Sequence, residues 1–268
     1  GIVLSALLTL FTGVVVGRMA ILFSLYPTHC FFSIPLYGFV ACGIFIAADS
    51  LAVAIAAYLA ALGLRYLCGA YVRVMDLSKL LYAGICVGLV PFFHAQASFV
   101  VVMAVAAIAM FGFSLREVVV LLFGMLFVPA TICYVTWFAG GDFTAPLVSL
   151  WEALVGDSGY SLLGSDSVVA LAIAGLLAFV IVCSTVMFLA DKHSVGVKSR
   201  GILIYDMLGF VAVCASFLLP SASVGLFAFA AIPAAIIMPV MFLRVHESVS
   251  LAIYISIILV FFLHLFVQ

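Results

Sequence analysis

Residues 2–26, IVLSALLTLFTGVVVGRMAILFSLY, and residues 36–64, LYGFVACGIFIAADSLAVAIAAYLAALGL, decide the fold. A helix needs about 20 apolar residues to cross the hydrocarbon of a bilayer, and each stretch supplies them. Each also carries one full charge in its interior, Arg18 in the first and Asp49 in the second. An ionisable side chain inside a spanning helix costs about 2.5–3.5 kcal/mol on insertion scales, so it is expected to face a partner charge, a water-filled cavity or a substrate path. Read as a hairpin, the two stretches put Arg18 about 8 residues and Asp49 about 13 residues from the external ends of their helices. At 1.5 Å per residue the depths then differ by about 7–8 Å, a gap an arginine side chain can nearly cross. A buried ion pair that fixes the hairpin and an external vestibule for an anionic head group both fit this placement.

The rest of the chain has the same character. Of its 268 residues, 69% are hydrophobic and 7% charged, against about 25% charged in soluble domains. This is the composition of an all-α polytopic membrane helix bundle, a single transmembrane domain over residues 1–268 with the lipid bilayer as its surroundings. The net charge of −1 leaves no basic face for nucleic acid. The first apolar run has no small-residue cleavage site ahead of a polar stretch and reads as a retained helix.

Nine spans are expected, at about 2–26, 36–64, 79–92, 96–113, 117–139, 167–190, 202–219, 222–242 and 250–267. Their connections place Arg65, Arg73 and Lys79, then Arg116, then Lys192, Lys198 and Arg200, then Arg244 in alternate loops, which is eight of the nine basic residues. Basic residues collect on the cytoplasmic side, so the expected topology has a cytoplasmic N-terminus and an external C-terminus. The long external loop at 140–166 holds Asp142, Glu152, Asp157 and Asp166 and no basic residue. Within it Leu147, Leu150, Trp151 and Leu154 recur at helical spacing, the pattern of a short interfacial helix or of a cap over the bundle mouth.

Small residues mark packing faces in lipid. Gly13 with Gly17, Gly84 with Gly88, and the Ala52, Ala56, Ala60 stripe are such faces, within the chain or toward a partner subunit. Pro129, Pro233 and Pro239 fall inside expected spans, where each removes a backbone donor. The seven cysteines are scattered singly, without metal-ligand spacing, and read as apolar fillers.

Ser114-Leu115-Arg116-Glu117 opening an apolar helix through Gly124 to Pro129, Lys198-Ser199-Arg200 leading into another, Ala231-Ile232-Pro233 in the penultimate span, and Phe93-His94 at a hairpin form a recurring set. Over about residues 66–268 they resemble an uncharacterised family of polytopic inner-membrane proteins of Bacteroidetes-type bacteria, a domain of unknown function. The resemblance departs at Ala95, where the family's turn has proline. It implies a bacterial inner-membrane location and transfers no activity.

No catalytic constellation, metal site or cofactor motif is present: GxxxxGK[ST], HExxH and GxGxxG are all missing. Gly156-Asp157-Ser158-Gly159 lies in a polar loop with no surrounding fold to supply a base and an oxyanion hole. The remaining polar candidates are Arg18, Asp49, His29, His94, Gln96 and His264, with Asp206 expected as an interfacial anchor near the start of its span. The expected function is a non-catalytic subunit of a larger membrane assembly, packing against membrane-protein partners. The alternatives are a carrier for an anionic or lipid-like solute and a lipid-linked glycosyltransferase-like enzyme.

Overall fold

The structure is a computed structural model that describes residues 2–26, 32–43, 51–72, 76–156, 168–190 and 195–267. Among these residues every regular element is helical. The α-helices are α1 (Ile2–Leu22), α2 (Ser33–Gly43), α3 (Leu51–Val72), α4 (Leu77–Phe93), α5 (Phe99–Phe111), α6 (Leu115–Phe138), α7 (Ala145–Val155), α8 (Val168–Ala190), α9 (Val197–Ser216), α10 (Leu226–Arg244) and α11 (Glu247–Val267). A 3-10 turn, Ala95–Ser98, joins α4 to α5. Five of the helices are long and apolar enough to cross a membrane. The all-helical class expected from composition is observed among the described residues, and these five helices are consistent with a membrane bundle.

The expected second span, 36–64, falls on two helices rather than one. After α1 the chain turns on Ser24, the described non-glycine residue with positive φ, at 48°. The Leu25 N–H donates to the Ala20 carbonyl and the Ser24 N–H to the Ile21 carbonyl, closing a Schellman cap. Helix α2 then runs back along α1, because Ile34 packs on Gly17 and Tyr37 on Gly13. Helix α3 returns in the direction of α1, and its Gly69 lies beside Phe23. Helices α1 and α3 are therefore parallel, where a simple hairpin would make them antiparallel.

Side-chain bonds fix which helix ends share a level. Ser199 Oγ donates to the Phe23 carbonyl at 2.9 Å, Lys198 Nζ to the Val72 carbonyl at 2.7 Å, and Arg244 Nη1 to the Met187 carbonyl at 2.7 Å. Carbonyls at helix C-termini lack helical donors, so each of these bonds satisfies an otherwise open group on a neighbouring helix. Arg18, Arg65, Lys79, Arg116, Lys198, Arg200 and Arg244 all belong to this end, which we call the basic end. Lys79 also pairs with Asp76 there, and this contact holds the Asp76 carboxyl below the usual carboxylate range. The opposite end gathers Val53, His94, Ser223 and Gly225. Helix α7 packs there too, against α6 and the 3-10 turn.

Helix α10 is the hub. It is apolar all round and buried along nearly its whole length, touching α1, α2, α3, α8, α9 and α11. Pro239 has no N–H, and the nearby Ile236 and Met238 carbonyls accept the hydroxyls of Tyr26 and Ser184. A second hydrophobic cluster forms around α4, α5 and α6. Both GxxxG pairs are used inside the chain: Gly13 and Gly17 by α2, Gly84 and Gly88 by α6. Helices α5 and α6 are joined by Gly112 in the left-handed region and by a capping box in which Ser114 and Glu117 bond reciprocally. That box accounts physically for the Ser-Leu-Arg-Glu string.

Candidate functional site

The two hydrophobic clusters meet along a seam to which α3 and α9 contribute, and a cavity of about 70 Å³ lies in it. Ala60, Phe229 and Ile232 line it from the α10 cluster, Leu67, Val87 and Met103 from the other. A water occupies about 30 Å³ in the liquid, so the space admits about two. Asp206, 3% exposed, lines the cavity, and its Oδ2 has no hydrogen-bond partner. No described residue forms an ion pair with it. Helix α9 starts at Val197, so Asp206 stands in mid-helix rather than at the interface. The expected interfacial role is corrected on this point.

The groups around the carboxyl explain why it is bare. Its neighbour Tyr205 directs its hydroxyl away to the Met103 carbonyl at 2.9 Å. Cys68, fully buried on α3, is the other titratable group close enough to interact electrostatically with Asp206. Pro233, also in the cavity wall, has no N–H, which leaves the Phe229 carbonyl without its donor four residues on. Pro91 does the same for the Val87 carbonyl. The site thus has one carboxylate in an otherwise apolar wall, and two residues of that wall, Val87 and Phe229, have carbonyls without a helical donor.

The candidates read from sequence are dispersed. Arg18 is exposed on the outside of the bundle, five residues before the Phe23 carbonyl that Ser199 bonds at the basic end. Asp49 and His29 lie outside the described residues, as does the side chain of His264, so the expected Arg18–Asp49 pair is not part of the described structure. Gln96 is half-buried in the 3-10 turn. His94 is at the end opposite Arg18, and the two do not share a vestibule. On α7, Pro146, Leu150 and Leu154 are half-buried while Leu147 and Trp151 are exposed. Two of the four expected interfacial residues thus rest on the protein and two face outward. Among the described residues no group of His, Cys, Asp and Glu could hold a metal, and the five described cysteines are free.

His94 Nε2 lies 3.2 Å from Ser223 Oγ, and the ring stacks on Phe229 at 5.6 Å between centroids. Gly225 permits this, because a methyl there would meet the imidazole at 3.0 Å. Burial pushes the His94 imidazole down to about 4, so it is neutral at pH 7. The unfolded chain binds this proton below about pH 6.5 and the fold only near pH 4. Stability therefore falls as pH drops through that window, by up to about 3 kcal/mol at its lower edge. Melting in detergent from pH 7 to 4.5 should show a shallower loss for His94→Gln than for the wild type. Identical slopes would mean that His94 is solvated.

No family model matches the chain, no curated protein matches it, and no solved structure matches it.

Proposed function

We propose that the chain is a multi-pass membrane carrier whose path runs through the Asp206 cavity. The observation that carries this reading is the fully buried, unpartnered carboxylate oxygen in a cavity between two packed clusters. A bare carboxylate at such depth requires a neutralising positive charge, which makes it a functional position by default. Prolines in α4 and α10 leave carbonyls without helical donors on two residues of the cavity wall, a feature shared with carriers that bind at interrupted helices. At about 70 Å³ the space is too small for an organic solute, which must widen it to bind. The solute class is anionic or lipid-like, moving with the positive charge that neutralises Asp206.

The inner-membrane location implied by the family resemblance belongs to this proposal. So does orientation: the basic end faces the cytoplasm. With α2 and α3 as separate segments the chain crosses ten times rather than nine, and both termini are external. An epitope before Gly1 and a cysteine at Gly141 should be reached from outside, and a cysteine at Ser199 should not.

The alternative, a non-catalytic subunit, loses its first support, since both GxxxG faces are occupied within the chain. Purification in mild detergent followed by intact-particle mass measurement separates the two. The carrier reading expects the chain with a bound small molecule that Gly209→Leu, which fills the cavity, displaces. A stoichiometric second protein and no small molecule would replace it with the subunit reading.

A further inference from the structure

We infer that Asp206 binds a proton, exchanged with the end of the bundle that carries His94 through the layer formed by Phe229 and Phe99. This rests on the carrier reading and names its coupling ion. Binding adds one solvent proton to a carboxylate oxygen, release regenerates the carboxylate, and no other bond changes.

The wall chooses the ion. A hard metal cation takes about six oxygen ligands. Here the side chains offer one carboxylate, because the Tyr205 hydroxyl is committed to the Met103 carbonyl. A proton needs one oxygen to bind and one acceptor for the O–H it creates. A water in the cavity supplies that acceptor. The titratable groups facing Asp206 are Tyr205 on its own helix and Cys68 on α3, while α4, α5 and α10 bring apolar side chains to the cavity. No positive side chain lines the cavity to compete with the proton.

Aromatic layers lie on both sides of the cavity along the bundle axis, and they differ. Toward the basic end Tyr71 stacks on Phe111 at 4.3 Å, and Phe111 packs on Tyr205 at 5.0 Å. Toward the other end the rings are farther apart, with His94 at 5.6 Å from Phe229 and Phe229 at 6.1 Å from Phe99, edge to face. Phe229 and Phe99 both line the cavity. Behind them His94 and Ser223 form a polar pair, and two residues before Ser223 the buried Ser221 hydroxyl has no partner. A proton arriving from that end meets hydrogen-bonding groups up to one ring layer from Asp206. From the basic end it meets a tighter stack.

Infrared difference spectroscopy on the purified protein tests both halves. The wild-type minus Asp206→Asn spectrum at pH 7 should contain the C=O stretch of a protonated carboxyl, unaffected by replacing choline chloride with sodium chloride. A carboxylate pair of bands, or a protonated band removed by sodium, overturns the proton assignment while a carrier with another ion stands. A protonated band with no bound solute in the mass measurement leaves the proton site and removes the carrier. In D2O the band shifts as the proton exchanges. Phe229→Leu, a variant that keeps an apolar side chain, should speed that shift at least tenfold, and Phe111→Leu should leave it within twofold. Faster exchange in Phe111→Leu alone, or in both, overturns the route.

Discussion

Gly84→Ala and Gly124→Ala should each lower the melting temperature in detergent and the folded yield by a large amount. A methyl on Gly84 would lie 3.0 Å from the Gly124 Cα and the Met125 nitrogen, and one on Gly124 would lie 2.7 Å from the Leu81 carbonyl oxygen. These neighbours are backbone, which cannot rotate away, so α4 and α6 must separate. Overpacking costs about 1–3 kcal/mol when side chains can adjust, and here they cannot. Gly38→Ala is the control, because nothing lies within 4 Å of its added methyl. It should be neutral or gain up to about 1 kcal/mol from the helix preference of alanine over glycine. Equal melting temperatures for all three variants would mean that α4 and α6 are not in backbone contact.

Asp206→Leu should do the reverse of most core substitutions: raise stability and abolish function together. Leaving a polar group buried and unsatisfied costs about 1–3 kcal/mol, and leucine removes that cost while filling part of the cavity. Asp206→Asn keeps a polar group in the same wall and should melt close to the wild type. The bound small molecule should be lost in both. A drop in stability for Asp206→Leu would show the carboxylate to be a structural partner of some group, and the carrier reading would lose its foundation. Sites kept at a cost to stability are the expected trade between stability and function.

Most helices could be read from hydropathy because a run of about 20 apolar residues has few other fates. The stretch 36–64 misled because its 29 residues contain no proline or basic residue to divide them. Its length was the available signal, about nine residues beyond what one crossing needs. Asp49 and Ser50, just ahead of the first residue of α3, are of the types that open helices. Asp206 reads as an interfacial anchor for a related reason. The expected span began at 202, whereas the helix begins at Val197, and those five residues move the carboxylate from the interface to mid-helix. That Cys68, 138 residues away, lies near it, and that Pro233 on α10 shares its cavity, depends on how helices pair in space. No local period encodes that pairing. His94 is among the polar candidates the sequence offers, but its neighbour Phe229 is 135 residues away and no local pattern points to it.

The bonds from Lys198 to Val72 and from Arg244 to Met187 give the basic end two duties. The same side chains that the proposed orientation places on the cytoplasmic side also fasten the ends of α3 and α8. Changing the sign or position of those charges would therefore alter insertion and loosen the bundle in one step. Proteins that insert in both orientations need a nearly neutral charge bias, which a sequence can drift toward only if the charges are dispensable. Here two of them also bond helix ends, so under the proposed orientation a reversal of the bundle in its membrane bears on packing as well as on charge. A descendant that reversed it would first have to find new caps for two helices.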